Sequence, residues 1–251
     1  MHWWQMCLLA GAALVMSIFS GIAGGGGGFV LTPMLIVFGL TPAQAVATGK
    51  INGLALATGS LRAMKSVRER LSMRRVLPVV ALALAVGLVA PVAIKAFDSS
   101  HYRIALGVVL LAMIPVTLVN HVGLESFTPD TRQKVVGTAL LTAALLLQGI
   151  FSGGVGTLVN LVLMGLLGMT AAEASVTKRW SQIVLNTTIT ATLLFSGLIA
   201  WQVLLVMLPA TLVGSYTGGR MAEVKGDRFI VHTMVALMFV SAVLLIADVG
   251  F

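Results

Sequence analysis

Long apolar stretches are the feature of this sequence that most restricts its fold. Residues 76–97 and 229–249 each provide the ~20 mainly apolar residues with which a helix crosses a membrane. The chain is 58% hydrophobic and only 10% charged, whereas a soluble domain has roughly one-quarter charged residues. The sequence therefore predicts an all-α integral membrane protein and excludes a soluble one.

The basic residues indicate how the chain is oriented. The formal net charge is +8, but the Lys and Arg residues lie in short segments between apolar spans rather than in a basic domain, so we expect no nucleic-acid partner. Residues 62–75 are the most basic segment, which places them on the cytoplasmic side. Alternation along the chain then puts the basic segments 120–134 and 218–228 on the same side. We expect a multi-pass protein of the cytoplasmic (inner) membrane of a bacterial-type cell, surrounded by the lipid bilayer.

The sequence repeats itself. Residues 21–28 (GIAGGGGG) recur in looser form at 149–156 (GIFSGGVG), and residues 39–50 (GLTPAQAVATGK) match 168–179 (GMTAAEASVTKR) at nearly the same offset. Such self-similarity indicates a duplicated unit. We predict a first transmembrane repeat at 1–119, a cytoplasmic connector at 120–134 and a second transmembrane repeat at 135–251.

Each repeat begins with an apolar element that glycines interrupt, at 5–40 and 135–168. If each is a re-entrant helical hairpin, it adds an even number of crossings, each half spans an odd number of times, and the halves are inverted. If each is a single broken helix, the halves are parallel. We favour the hairpin, because Pro33 and the glycines fragment a stretch long enough to turn back.

Three predicted spans follow in each half: 43–60, 76–97 and 104–119, then 174–197, 201–217 and 229–249.

The glycine breaks are the first candidate binding site. Inside a membrane, non-helical backbone is tolerated only where it is buried in protein or lines a wet cavity. A helix that starts there offers free amides and a partial positive charge, which favour an anion, and inverted repeats bring such breaks toward the bilayer midplane. The alternative is that these glycines only allow close helix packing. The candidates are Gly24, Gly25, Gly26, Gly27 and Gly28 in the first half, and Ser152, Gly153, Gly154 and Gly156 in the second.

Two cations are the second candidate. Lys50 and Arg179 occupy equivalent positions in the two repeats, and Lys50 lies inside a predicted span. A charge at membrane depth costs about 2.5 to 3.5 kcal/mol, so it usually faces a cavity or a partner. The alternative is that these side chains reach toward the lipid headgroups.

A third candidate is a pair of small polar faces. On a straight helix Thr48 shares a face with Asn52, and Thr177 shares one with Ser181, while the two cations point nearly the opposite way. The polar faces and the cations are therefore separate hypotheses. Further polar residues at apparent membrane depth, for which helix–helix hydrogen bonding is the equal alternative, are Gln148, Asn160 and Asn186.

The positions of the ionisable residues argue against several classes of mechanism. The carboxylates fall in or beside predicted loops or near span ends, so the usual buried proton or sodium site is missing. The histidines have no metal-ligand spacing, and Ser152 has no histidine at a convincing depth to activate it. We therefore expect no enzyme, no metal and no cofactor. An anion leaving a negative-inside cell gains about 2.3 kcal/mol per charge per 100 mV, so we hypothesise that export runs without a coupling ion.

The glycine break followed by Pro33, the block at 39–48 and their weaker copies after Gly149 together resemble the sulfite exporter TauE/SafE family of membrane permeases. The resemblance covers both halves. It implies duplicated halves, movement of sulfite, sulfonates or related small anions, and a role for residues 24–28 with Thr48 and for the second-half glycines with Thr177. The sequence departs from the family pattern in a longer first glycine run and in Ala171, which stands where the first half has Pro42.

These observations predict a permease that moves a small anion (sulfite, sulfonate or a related organosulfur anion) in the direction of export. The alternative is a non-transporting membrane subunit or assembly partner whose glycines pack helices. The sequence leaves a homo-oligomer open.

Overall fold

A computed structural model of the chain describes residues 3–25, 28–94, 123–150 and 155–247. Every regular element within these ranges is a helix, as the sequence predicts. The helices are α1 (Trp3–Ala23), α2 (Gly28–Val37), α3 (Pro42–Ala63), α4 (Lys65–Arg70), α5 (Met73–Ile94), α6 (Thr131–Ile150), α7 (Gly156–Gly165), α8 (Ala171–Leu193) and α9 (Trp201–Ala247).

The interrupted elements are a long helix followed by a short one. The short helices α2 and α7 are each 10 residues long. A Cβ atom placed on Gly137, near the start of α6, would lie 3.1 Å from the Cβ of Leu166, just beyond the end of α7. α7 therefore folds back along α6 as a hairpin. The first element is similar, because α2 contacts α1 and residues of both helices, such as Leu9 and Leu35, belong to one apolar cluster.

α3 and α8 start in the same way, which explains why the second sequence block repeats. The Thr41 side chain accepts a hydrogen bond from the Gln44 backbone at 3.3 Å, and Gln44 bonds back to the Thr41 amide at 3.1 Å. Thr170 and Glu173 form the same reciprocal capping box at the start of α8. Such a box satisfies two amides that the helix itself leaves open. The repeated block is thus a helix-start signal.

The replacement of Pro42 by Ala171 leaves this helix start intact. Both residues occupy the first position of their helix, where proline is tolerated because its missing N–H would have no partner within the helix. At the start of α8 the Ala171 amide has a partner outside the helix, since Ala171 N donates to the Gly123 carbonyl at 2.7 Å. A proline there could not make this bond.

In the described ranges, four helical segments are long and apolar enough to cross a membrane: Trp3–Ala23, Met73–Val92, Thr131–Ile150 and Trp201–Val240. The last contains a break at Gly226, whose φ of 76° is left-handed, so α9 is two helices joined at a kink. This agrees with the predicted spans 201–217 and 229–249. The predicted span 104–119 lies outside the described residues, so the parity that would make the halves inverted stays a prediction.

Glycines of α9 pack it tightly against α1 and α3. A Cβ atom on Gly218 would overlap the Ile18 carbonyl of α1, and one on Gly219 would lie 2.8 Å from the Ser60 carbonyl of α3. Close backbone approach through small residues is a usual way for helices to associate in membranes. These glycines therefore allow close helix packing, although they were not among the predicted site residues.

Candidate functional site

The two glycine breaks meet inside the protein. A Cβ atom on Gly156 would lie 3.5 Å from the Gly25 Cα, and one on Gly25 would lie 3.0 Å from the Gly156 carbonyl carbon. Both residues are buried. Of the other predicted glycine-break residues, Gly28 begins α2, whereas Gly26, Gly27, Ser152, Gly153 and Gly154 lie outside the described residues.

Gly24 lies at the same junction and needs to be glycine. Its φ is +75°, and a Cβ atom would collide with the Asn160 amide and lie 3.0 Å from Ser175 Oγ. Asn160, in the first turns of α7, donates Nδ2 to the Ala23 carbonyl at 2.9 Å. The end of α1 is thereby tied to the second half.

Lys50 reaches across the two halves. Only 2% of it is exposed, and its Nζ donates to the Gln148 carbonyl at 2.6 Å. Gln148 lies in the last turn of α6, immediately before the second glycine break. A cation is favoured there, because the end of a helix carries unpaired carbonyls and a partial negative charge.

Arg179 makes the reciprocal contact. It is fully buried, and it donates through Nη2 to the Gly21 carbonyl and through Nε to Ser60 Oγ. Gly21 lies in the last turn of α1, before the first glycine break. Each predicted cation therefore contacts the helix end that precedes the other half's break, and the alternative in which both extend toward lipid headgroups is wrong.

A third buried cation, Lys178, lies against the junction itself. It is 2% exposed, and its Nζ donates to Gln182 Oε1 at 2.7 Å. A Cβ atom on Gly156 would lie 2.7 Å from this Nζ, so the ammonium group sits beside the first residue of α7. Lys178 was not among the predicted site residues, although its place next to Arg179 in the repeated block was a usable signal.

The charges around the junction are of one sign. Across the described parts of the chain, the buried cationic residues are Lys50, Lys178 and Arg179, and no Asp or Glu is buried. The Arg75–Glu173 ion pair involves partly exposed side chains. The side chain of Glu223 is only 7% exposed, and it is paired with Arg220. The protein interior near the two breaks is therefore electropositive.

The small polar faces are separated from the cations, as the helix geometry predicts. Lys50 reaches the end of α6, Arg179 reaches the end of α1, and Lys178 lies beside the start of α7. Thr48 instead accepts from the Ala200 amide at 3.0 Å, next to the start of α9.

The remaining predicted polar residues differ in their hydrogen bonds. Ser181 Oγ donates to the Lys178 carbonyl of its own helix at 2.8 Å. Asn52 Oδ1 and Thr177 Oγ1 are buried without a hydrogen-bond partner among the described residues. The structure thus brings the glycine breaks and the cations together, and the role of the two threonine faces stays a prediction.

Apolar spanning helices around a buried, electropositive junction of two helix breaks are an arrangement typical of multi-pass membrane transporters. The comparison with known families agrees with this class. The chain belongs to the sulfite exporter TauE/SafE family, whose family model matches residues 9–245.

Two curated relatives align with nearly the whole chain. A probable membrane transporter protein, ORF9, from Sinorhizobium sp. is 27% identical over 246 residues, which cover 94% of this chain and 90% of that protein. A probable membrane transporter protein from Haemophilus influenzae is 26% identical over 257 residues, which cover 98% and 96%. No solved structure matches the chain. The family and both relatives are described as transporters, which confirms the predicted family and the expectation that the chain is not an enzyme.

Proposed function

We propose that this protein is a permease for a small anion and that it binds the anion near the junction of the two glycine breaks. The observation that carries the proposal is the set of buried cations at this junction, Lys50, Lys178 and Arg179, with no buried carboxylate in the described ranges. A cation entering this region would be repelled by like charges in a medium of low dielectric. An anion would gain from the same field.

The substrate is sulfite, a sulfonate or a related organosulfur anion, and the direction is export. The description of the family as sulfite exporters supports this choice. In the cytoplasmic membrane, the inside-negative potential drives a monoanion outward with about 2.3 kcal/mol per 100 mV, so the proposed mechanism needs no coupling ion. We further propose that 1–119 and 135–251 are the two inverted halves, joined by the cytoplasmic connector 120–134.

Counterflow in liposomes tests the proposal. Purified protein is reconstituted with unlabelled sulfite inside, and uptake of labelled sulfite is followed with sulfate and methanesulfonate as competitors. Saturable uptake that a competitor blocks is the expected result, whereas protein-free liposomes give the background. If none of these anions moves, the permease proposal is wrong.

The driving force is tested in the same liposomes. An inside-negative potential, set by potassium and valinomycin, should accelerate sulfite exit in the absence of sodium and of a proton gradient. A strict requirement for sodium or protons would contradict uncoupled export while leaving the permease itself intact.

The second candidate is a non-transporting membrane subunit. The direct backbone contact between Gly25 and Gly156 favours it, because tight packing is what such a role requires. The same assay separates the two functions. A subunit would move none of the anions, whereas a permease would move at least one of them.

A further inference from the structure

We infer that Lys178 is the cation that binds the transported anion, and that Lys50 and Arg179 instead position the two glycine breaks. The inference rests on the proposed anion permease and deepens it. The ligand class is a small oxyanion such as sulfite. Its site, here called the Lys178 subsite, consists of the Lys178 ammonium, the first turn of α7 at Gly156, and Ser175.

The three buried cations are engaged differently. Lys50 and Arg179 donate to the backbone carbonyls of Gln148 and Gly21 at two helix ends, although Arg179 Nη1 is buried without a hydrogen-bond partner among the described residues. Lys178 donates instead to a side-chain amide one turn further along its own helix, at Gln182. An ammonium group has three donors, and Lys178 has no second hydrogen-bond partner among the described residues. It can therefore turn to a ligand without releasing a helix end.

The position of Lys178 is unfavourable without an anion. The start of a helix carries a partial positive charge, and Val155, which precedes α7, provides no side-chain cap. Lys178 Nζ lies beside Gly156, at this same positive end. The ammonium group and the start of α7 repel each other in this buried region. An anion that binds between them is attracted by both and offsets this repulsion.

Ser175 is the independent second observation. It is fully buried, and its Oγ has no hydrogen-bond partner among the described residues. Ser175 and Lys178 are three residues apart on α8, so they share one face of the helix. On that face, Ser175 lies against Gly24 and Lys178 lies against Gly156. An unpaired hydroxyl and an ammonium group thus flank the same junction, and both can donate to an oxyanion.

The subsite belongs to the second half alone. In the repeated block, Lys178 corresponds to Gly49, which has no side chain to offer. Gln182 also connects the subsite to the first half, because its Nε2 donates to the Gly53 carbonyl. When an anion draws the Lys178 ammonium away, Gln182 Oε1 loses its hydrogen bond from Lys178. Anion binding is therefore linked to the contact that Gln182 makes with the first half.

The test measures sulfite counterflow by Lys178→Gln, Lys178→Arg and Gly156→Ala in liposomes. Lys178→Gln should raise the KM for sulfite roughly tenfold or more, the loss expected for one charge-assisted hydrogen bond, with a smaller change in Vmax. Lys178→Arg should recover part of the affinity. Gly156→Ala should also raise KM, because its methyl group displaces Nζ. Lys65→Gln and Gly11→Ala are the matched controls, since Lys65 is exposed and a Cβ at Gly11 meets nothing within 4 Å.

The outcomes separate this inference from the proposed function. If the wild-type protein transports sulfite and Lys178→Gln leaves KM unchanged, the inference is wrong and the permease stands. If the wild-type protein moves no anion, both are wrong. If Lys178→Gln does not fold, Lys178→Arg and Gly156→Ala decide: normal KM values for both overturn the inference. Sulfite should also raise the melting temperature of the detergent-solubilised wild-type protein more than that of Gly156→Ala.

Discussion

The Lys50 ammonium lies 2.6 Å from the carbonyl of Gln148, a residue 98 positions further along the chain. Arg179 makes the matching contact in the other direction, with the Gly21 carbonyl. In both cases a cation of one half satisfies the end of a helix in the other half, just before the glycine break. The position of each break is therefore set by a residue from the opposite half.

Lys50→Met should lower sulfite transport more strongly than Lys65→Met. The substitution leaves the Gln148 carbonyl without this donor, which costs about 1 to 3 kcal/mol for a buried acceptor. Because we assign Lys50 to positioning, Vmax should fall while KM changes little. Lys65 is a suitable control, since its contact with Glu69 is an exposed pair at 3.9 Å. Equal effects of the two substitutions would remove Lys50 from the site.

Arg179→Lys should destabilise the protein although it keeps the charge. A lysine ammonium cannot reproduce the planar arrangement of donors with which Arg179 reaches both the Gly21 carbonyl and Ser60. We expect a loss of about 1 to 3 kcal/mol, seen as a lower melting temperature in detergent. Arg132→Lys, at an exposed position, should have no effect. An unchanged melting temperature for Arg179→Lys would show that its two contacts contribute nothing to stability.

Thr48→Val should weaken the attachment of α9 to α3. The hydroxyl of Thr48 accepts a hydrogen bond from the Ala200 amide, and valine keeps the shape but removes the acceptor. Leaving a partly buried amide unpaired costs about 1 to 3 kcal/mol. Thr58→Val is the control on the same helix, because among the described residues the Thr58 hydroxyl bonds to carbonyls of its own helix. Melting temperatures measured side by side test this, and equal shifts would contradict the specific role of Thr48.

Gly218→Ala should lower stability, whereas Gly11→Ala should be neutral or slightly stabilising. An alanine methyl at 218 would run into the Ile18 carbonyl, so α1 and α9 would have to separate. At Gly11 the added methyl meets no atom of the described residues within 4 Å, and replacing glycine in a helix is worth up to about 1 kcal/mol. Thermal unfolding of both variants tests the difference. Equal melting temperatures would mean that α1 and α9 adjust without cost.

The sequence was sufficient to predict features that local patterns encode. The apolar stretches predict the four segments that are long and apolar enough to span, whereas α3 and α8, over the predicted spans 43–60 and 174–197, are not among these four. The glycine runs predict the breaks, and the second repeated block marks two equivalent helix starts at Thr41 and Thr170. The meeting of Gly25 with Gly156 also follows the expectation that related halves bring their breaks together.

The partners of the buried cations could not be predicted from the sequence. Arg179 and Gly21 are 158 residues apart, and a backbone carbonyl has no residue-type signature. Lys178 was missed because the comparison of repeats selects matched positions, and its counterpart is Gly49. The close contact of α9 with α1 was missed although Gly214 and Gly218 have the spacing of a small-residue packing motif.

The exchange of cations between the halves has a consequence for how such a chain can be assembled. A fragment that contained only the first half would lack Arg179, and a fragment that contained only the second would lack Lys50. In neither fragment would the carbonyl at the end of the broken helix have its cationic partner. We therefore expect two separately expressed fragments to complement each other, since each supplies the cation that contacts the helix end of the other.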